Sequence, residues 1–135
     1  MDAVYSALNS MGFKNVEIEV AEIGWPYKGD DNEGGPSIEI AKAYNRNLIA
    51  HLRSMVGTPL MLGKSVDTYL FALYDEDLKP GPGSERSSGL FKTGFTMVYD
   101  VGLSTSSQLI PKICHCRIEF LNTHIFLVKS SYVIL

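Results

Sequence analysis

Carboxylates gathered where strands end are the raw material of nucleophilic and acid-base chemistry, and this chain places them there twice. Glu22 closes the apolar run that begins at Val16, and the Asp75-Glu76 pair follows directly on Thr68-Tyr69-Leu70-Phe71-Ala72-Leu73-Tyr74. The other chemistry-bearing groups point elsewhere. His51 falls in a helical segment and reads as a helix-face residue. Cys114-His115-Cys116 leaves a single residue between its thiols, whereas zinc sites use gaps of about two to four residues and four ligands, so neither a metal nor a cofactor is called for. A disulfide joining Cys114 to Cys116 would be strained.

The elements that must carry these groups follow from periodicity. Residues 2–11 predict a short helix, with Asp2 as its cap, Val4, Leu8 and Met11 on one face and Gly12 as its stop. Val16 to Ile23 predicts a strand with Val16, Ile18, Val20 and Glu22 on one face and Glu17, Glu19 and Ala21 on the other. Residues 26–36 have the Gly, Pro and acidic content of a solvated loop. From Ser37 to Val56 the apolar residues Ala41, Tyr44, Leu48, Leu52 and Met55 recur at helical spacing, until Gly57-Thr58-Pro59 ends the helix. The run from Thr68 to Tyr74 suits a strand covered on both faces, and a second loop reaches from Asp75 to Ser88. This order is an α/β pattern with parallel strands, whose site lies beyond the carboxyl ends of the strands. Glu22 and Asp75-Glu76 then face the same side.

At 135 residues, 45% apolar and 20% charged, the chain has the size and composition of one globular domain. A net charge of -3 argues against a phosphate-binding surface, so no nucleic acid is expected as a partner. The apolar run Ile125-Phe126-Leu127-Val128 falls far short of the ~20 residues of a membrane span. Met1 is followed at once by Asp2-Ala3-Val4-Tyr5 rather than by a basic and then an apolar segment, so the chain as given is expected to stay in the cytosol. After Ser104-Thr105-Ser106-Ser107-Gln108 no sustained period remains, and the tail takes no predicted structural role.

The segment Val20-Ala21-Glu22-Ile23-Gly24-Trp25-Pro26 resembles the signature of glycoside hydrolase family 17, in which a strand ends in Glu, then Ser or Thr, then Gly-Trp-Pro. Further along, Phe71-Ala72-Leu73-Tyr74-Asp75-Glu76-Asp77-Leu78-Lys79-Pro80-Gly81-Pro82 resembles the second block of that family, continued by Ser84-Glu85-Arg86 and Gly89-Leu90-Phe91. Ala43-Tyr44-Asn45-Arg46-Asn47-Leu48-Ile49, Gly57-Thr58-Pro59 and Tyr99-Asp100-Val101-Gly102-Leu103 also look like family residues. The resemblance, to plant-type glucan endo-1,3-beta-glucosidases, covers residues 2–107 and leaves 108–135 as a tail outside the pattern, read as intronic, out-of-frame or disordered sequence. It implies the C-terminal part of a (β/α)8 TIM barrel: the seventh strand, a helix and the eighth strand. A whole barrel of this class needs about 250 residues, so this one is expected to be incomplete.

The activity implied is hydrolysis of internal 1,3-beta-D-glucosidic bonds in 1,3-beta-glucan by a retaining mechanism, extracellular or in the cell wall. Such an enzyme uses one ionised carboxylate as nucleophile and a carboxylic acid ~5 Å away to protonate the leaving oxygen. Glu22 matches the nucleophile. Glu76, Lys79 and Glu85 match positions lining the cleft, where the Lys79 charge would keep neighbouring carboxylates ionised. Tyr74 and Phe91 would offer apolar faces to sugar rings. Trp25 reads equally as a sugar contact or as packing beneath the loop. The family's acid/base Glu follows an Asn on an earlier strand, and the one Asn-Glu here, Asn32-Glu33, lies instead in the loop after the nucleophile. The chain is therefore expected to be inactive alone; the alternative is a non-catalytic glucan-binding or interaction remnant. Ile23, Glu19 and Ser88 depart from the family's usual Ser or Thr, aliphatic and aromatic residues, and an unpaired Glu19 carboxylate under a helix would be costly.

Overall fold

The computed structural model describes residues 1–14, 16–64 and 66–103, together with the backbone of 118–120 and 132–134. The readings placed on Cys114-His115-Cys116, on the boundary after residue 107 and on the rest of the tail lie outside the described residues.

Helix α1 spans Asp2–Ser10 and stops before Gly12, whose φ of 90° suits a residue without a Cβ. Its cap is Met1 rather than Asp2. Asp2 is already helical, and its carboxylate accepts a hydrogen bond from Thr58 Oγ1, which ties the helix start to a distant turn. Strand β1 is Glu17–Ile23 and helix α2 is Ile38–Ser54. Ser37 caps α2 by accepting from the Ile40 backbone N–H at 3.1 Å, and Met55 closes it in the left-handed region at φ 55°. The segment expected only to stop this helix does more: β2, Gly57–Thr58, pairs antiparallel with β3, Met61–Leu62.

Helix α2 buries Ala41, Asn45 and Ile49, four residues apart, while Tyr44, Leu48, Leu52 and Met55 of the predicted apolar row are half-buried beside them. A polar residue holds the centre of the stripe because its amide has a partner. Asn45 is fully buried and its Nδ2 donates to Tyr99 Oη at 2.8 Å. Ala41 and Ile49 pack with Leu70, Leu90, Tyr99 and Val101 into one core, to which Trp25, Tyr27 and Leu48 are added from the side.

Strand β4 is Thr68–Leu70, shorter than the predicted run to Tyr74. Beyond Leu70 the backbone changes partner. Phe71 N–H still donates to Ile23 O, but Ala72 N–H donates to Ser88 O, and Leu90 and Phe91 donate to Ala72 O and Leu73 O. The sheet order is β5-β4-β1-β6, every pairing parallel. Its outer members are β5, Ile118–Phe120, beside β4, and β6, Tyr132–Ile134, beside β1. Two short pieces of the tail thus join the sheet, where no structural role was predicted.

The β1 ladder pairs Val20 with Thr68 and Ile23 with Leu70. Three steps on β1 are matched by two on β4, so an extra residue is accommodated between Val20 and Ile23. Side-chain alternation counted from Val16 therefore does not carry through to Glu22, which is exposed while Ile18 is buried. Glu19 is half-buried rather than enclosed under a helix.

Candidate active site

Glu22 stands at the carboxyl end of β1, and the chain then passes through Gly24, where the backbone of β1 and that following β4 nearly touch. A Cβ on Gly24 would lie 1.8 Å from Phe71 O, so no other residue fits without moving the Phe71 peptide. Both residues line an open cavity of about 390 Å³. Glu22, Ile23, Gly24 and Pro26 line it from the β1 side, and Phe71, Lys79, Ser84, Glu85 and Ser88 from the other.

Lys79 is the electrostatic centre. Its ammonium lies 3.1 Å from Glu85 Oε2 and 3.5 Å from Glu76 Oε2, and 4.8 Å from the centre of the Phe71 ring. Burial pulls the ammonium towards deprotonation, yet the Glu85 hydrogen bond and the charges of Glu85, Glu76 and Glu22 outweigh it and hold Lys79 above the ordinary lysine range. Glu76 Oε2 is shut off from water and has no hydrogen bond, so the Lys79 charge is its compensation.

Asp75 does not join its neighbour at the cavity. Its Oδ2 accepts from Tyr27 Oη at 2.6 Å and its Oδ1 from Gly89 N–H at 3.0 Å, bracing the loop after β1 against the segment after β4. Burial raises the Asp75 carboxyl above its usual range despite those two bonds, and burial with the Asp75 contact pushes the Tyr27 hydroxyl far upward.

Of the residues singled out from sequence, the structure brings Glu22, Lys79 and Glu85 to one cavity, with Glu76 paired behind them. Tyr74, Phe91 and Trp25 are not in its lining. Tyr74 packs against Phe91 and, edge to face, against the exposed Phe95. Trp25 stacks obliquely on Tyr44 and donates from Nε1 to Gly35 O. Sequence reasoning missed Phe71, Ser84 and the Tyr27-Asp75 brace. Phe71 was hidden within an apolar run read wholly as strand, and a Ser in a charged loop carries no signal of its own.

The profile of Glycosyl hydrolases family 17 matches residues 1–103. Glucan endo-1,3-beta-glucosidase 7 of Arabidopsis thaliana is 73% identical over 108 residues, covering 80% of this chain and 21% of that protein. Glucan endo-1,3-beta-D-glucosidase of Olea europaea is 64% identical over 108 residues, covering 80% of this chain and 24% of that protein. Among solved structures, CJP38, a beta-1,3-glucanase and allergen of Cryptomeria japonica pollen, superposes with a TM-score of 0.68 at 44% identity, over 77% of this chain and 32% of that one. The chain thus spans about a quarter or less of the curated relatives it matches. With its Glu22 strand end, its Gly24 crossing and a family match over residues 1–103, the chain belongs to glycosyl hydrolases family 17.

Proposed function

We propose that this chain is the nucleophile-bearing part of a retaining glycoside hydrolase that cleaves internal 1,3-beta-D-glucosidic bonds of 1,3-beta-glucan in the cell wall. The observation that carries this reading is the meeting of Glu22 with Lys79 and Glu85 at one open cavity beyond the strand ends. A carboxylate that attacks an anomeric carbon must be ionised and reachable, and Glu22 is exposed with a cation in its field. In this reading β1, α2 and β4 are the seventh strand, a helix and the eighth strand of a (β/α)8 barrel. Lys79 and its two glutamates hold sugar hydroxyls, and Tyr74 and Phe91 lie further along the glucan. The carboxylic acid that protonates the leaving oxygen comes from the part of the family enzyme that this chain does not span.

The test exchanges residues 1–103 for the matching segment of the 73% identical Arabidopsis enzyme and follows release of reducing ends from soluble 1,3-beta-glucan. The exchanged enzyme should turn over, and Glu22→Gln in it should abolish turnover. The 135-residue chain alone should give none. Turnover by the exchanged enzyme that survives Glu22→Gln removes the nucleophile assignment. Saturable binding of the isolated chain to insoluble 1,3-glucan, with an inactive exchanged enzyme, favours the non-catalytic glucan-binding reading.

A further inference from the structure

The acidic loop after β1 holds the one Asn-Glu pair in the chain, and the chemistry of the site leaves it unused. Its glutamate is nevertheless fully engaged. Glu33 Oε2 accepts from the backbone N–H of Asp30 at 2.7 Å and of Ser84 at 3.2 Å, while Oε1 accepts from Ser84 Oγ. Asp30 Oδ2 accepts from Gly83 N–H at 2.9 Å. Two carboxylates from one loop thus hold the first residues of the turn Gly83–Arg86, more than fifty positions away. The seat is tight: a Cβ on Gly83 would fall 2.6 Å from Asp30 Oδ1. Hydrogen bonds with an ionised acceptor are about twice as strong as neutral ones, so these add a second polar link between the two loops beside the Tyr27-Asp75 brace.

The next residue in that turn is Glu85, which holds the Lys79 ammonium at 3.1 Å. Arg86 closes the same unit by donating from Nη1 to Lys79 O and Gly81 O. The path runs from the loop that follows Glu22, through Glu33 and Ser84, to Glu85 and Lys79, and so returns to the cavity that Glu22 lines.

We propose that Asp30 and Glu33 form a carboxylate latch whose task is positional: it fixes the turn carrying Glu85 and thereby places the Lys79 charge in the cavity. The latch rests on the reading of a glucan site only for its effect on the sugar. Its geometric part stands by itself.

The test is nuclear magnetic resonance on the 135-residue chain, following amide exchange at Gly83 and Ser84 and the titration of Lys79 Nζ. In Glu33→Gln the Ser84 amide, and in Asp30→Asn the Gly83 amide, should exchange about tenfold faster, the loss of roughly one charge-assisted hydrogen bond. The Lys79 midpoint should fall towards that of an ordinary lysine, as in Glu85→Gln, and the double variant should go no further than either. Asp31→Asn, next door but outside the hydrogen bonds that Asp30 and Glu33 make to the turn, should move neither reading. Faster exchange with an unmoved Lys79 overturns the positional role, and unmoved exchange overturns the latch itself. Should Glu33→Gln lose amide protection at Ile18 and Ala41, Ser84→Ala removes the hydroxyl donor alone and is judged by the same two readings. An exchanged enzyme that gives no turnover of soluble 1,3-beta-glucan defeats the glucan reading and leaves the latch standing.

Discussion

Gly24→Ala should be among the costliest small substitutions in this chain, although it adds a single methyl group. Gly24 does not have a positive φ, so alanine meets no intrinsic backbone strain there. The cost is purely steric. The new carbon would sit 1.8 Å from Phe71 O and 3.0 Å from Phe71 C, more than an ångström inside the nearest real approach. The Phe71-Ala72 peptide cannot simply withdraw, because its N–H, on Ala72, donates to Ser88 O at 3.1 Å and the neighbouring Phe71 N–H donates to Ile23 O at 2.9 Å. Overpacking of this kind costs about 1–3 kcal/mol and a weakened backbone hydrogen bond about 1 kcal/mol, so about 2–4 kcal/mol together. That is a large share of the ~5–15 kcal/mol that keeps a domain folded. Urea denaturation at matched slope reads the loss directly, and resonances of Phe71 and Lys79 should move with it because that ring lies beneath the ammonium. Gly34→Ala is the control. It lies in the same loop, without positive φ and with nothing within 4 Å of the added carbon, and should be neutral or slightly stabilising. A Gly24→Ala loss below about 0.5 kcal/mol, the range of ordinary surface changes, would refute the reasoning.

Tyr99→Phe strands the buried Asn45 amide and should cost about 1–3 kcal/mol; Asn45→Ala should cost a similar amount, with the double variant well short of their sum in thermal or urea melts. Ile49→Ala should lose about 2–5 kcal/mol by the same measurement, and Leu78→Ala, 98% exposed, should stay within about 0.5 kcal/mol. Tyr27 and Lys79 both hold their protons more tightly in the folded chain than the unfolded chain does. The folded state therefore binds more protons, and their contribution is fully present below pH about 10 and lost as pH rises through the folded values. Tyr27→Phe should flatten the alkaline part of a stability-against-pH curve, and an unchanged slope would count against the Tyr27-Asp75 brace.

The parallel α/β order, the long helix from Ser37 and the strand end at Glu22 were all legible, because each rests on local pattern or on a short motif. Lys79 and Glu85 came from the family's second block, and the structure puts both at the cavity with Glu22. What escaped depends on partners distant in sequence. Asn45 interrupts an apolar stripe, and only the hydroxyl of Tyr99, 54 positions later, makes it a core residue. The run from Thr68 to Tyr74 reads as one strand, but its second half pairs with residues 88–91 rather than with β1. Asp2 has the composition of a cap and lies one position too late to serve as one. Glu33 was set aside for standing in the wrong place for proton transfer, and its actual contacts span 51 residues.

The irregular step between Val20 and Ile23 divides β1 into two stretches that obey different masters. Up to Val20 the strand answers to the sheet, through Ile18 and the N–H of Val20 donating to Asp67 O. From Ile23 onward it answers to the Gly24 crossing and the Phe71 peptide. Glu22 sits in the slack between them. A change of side chain in the lower stretch, at position 19 for example, then reaches Glu22 only across an irregular step of the ladder. A strand built this way separates the packing of its first half from the placement of its last carboxylate.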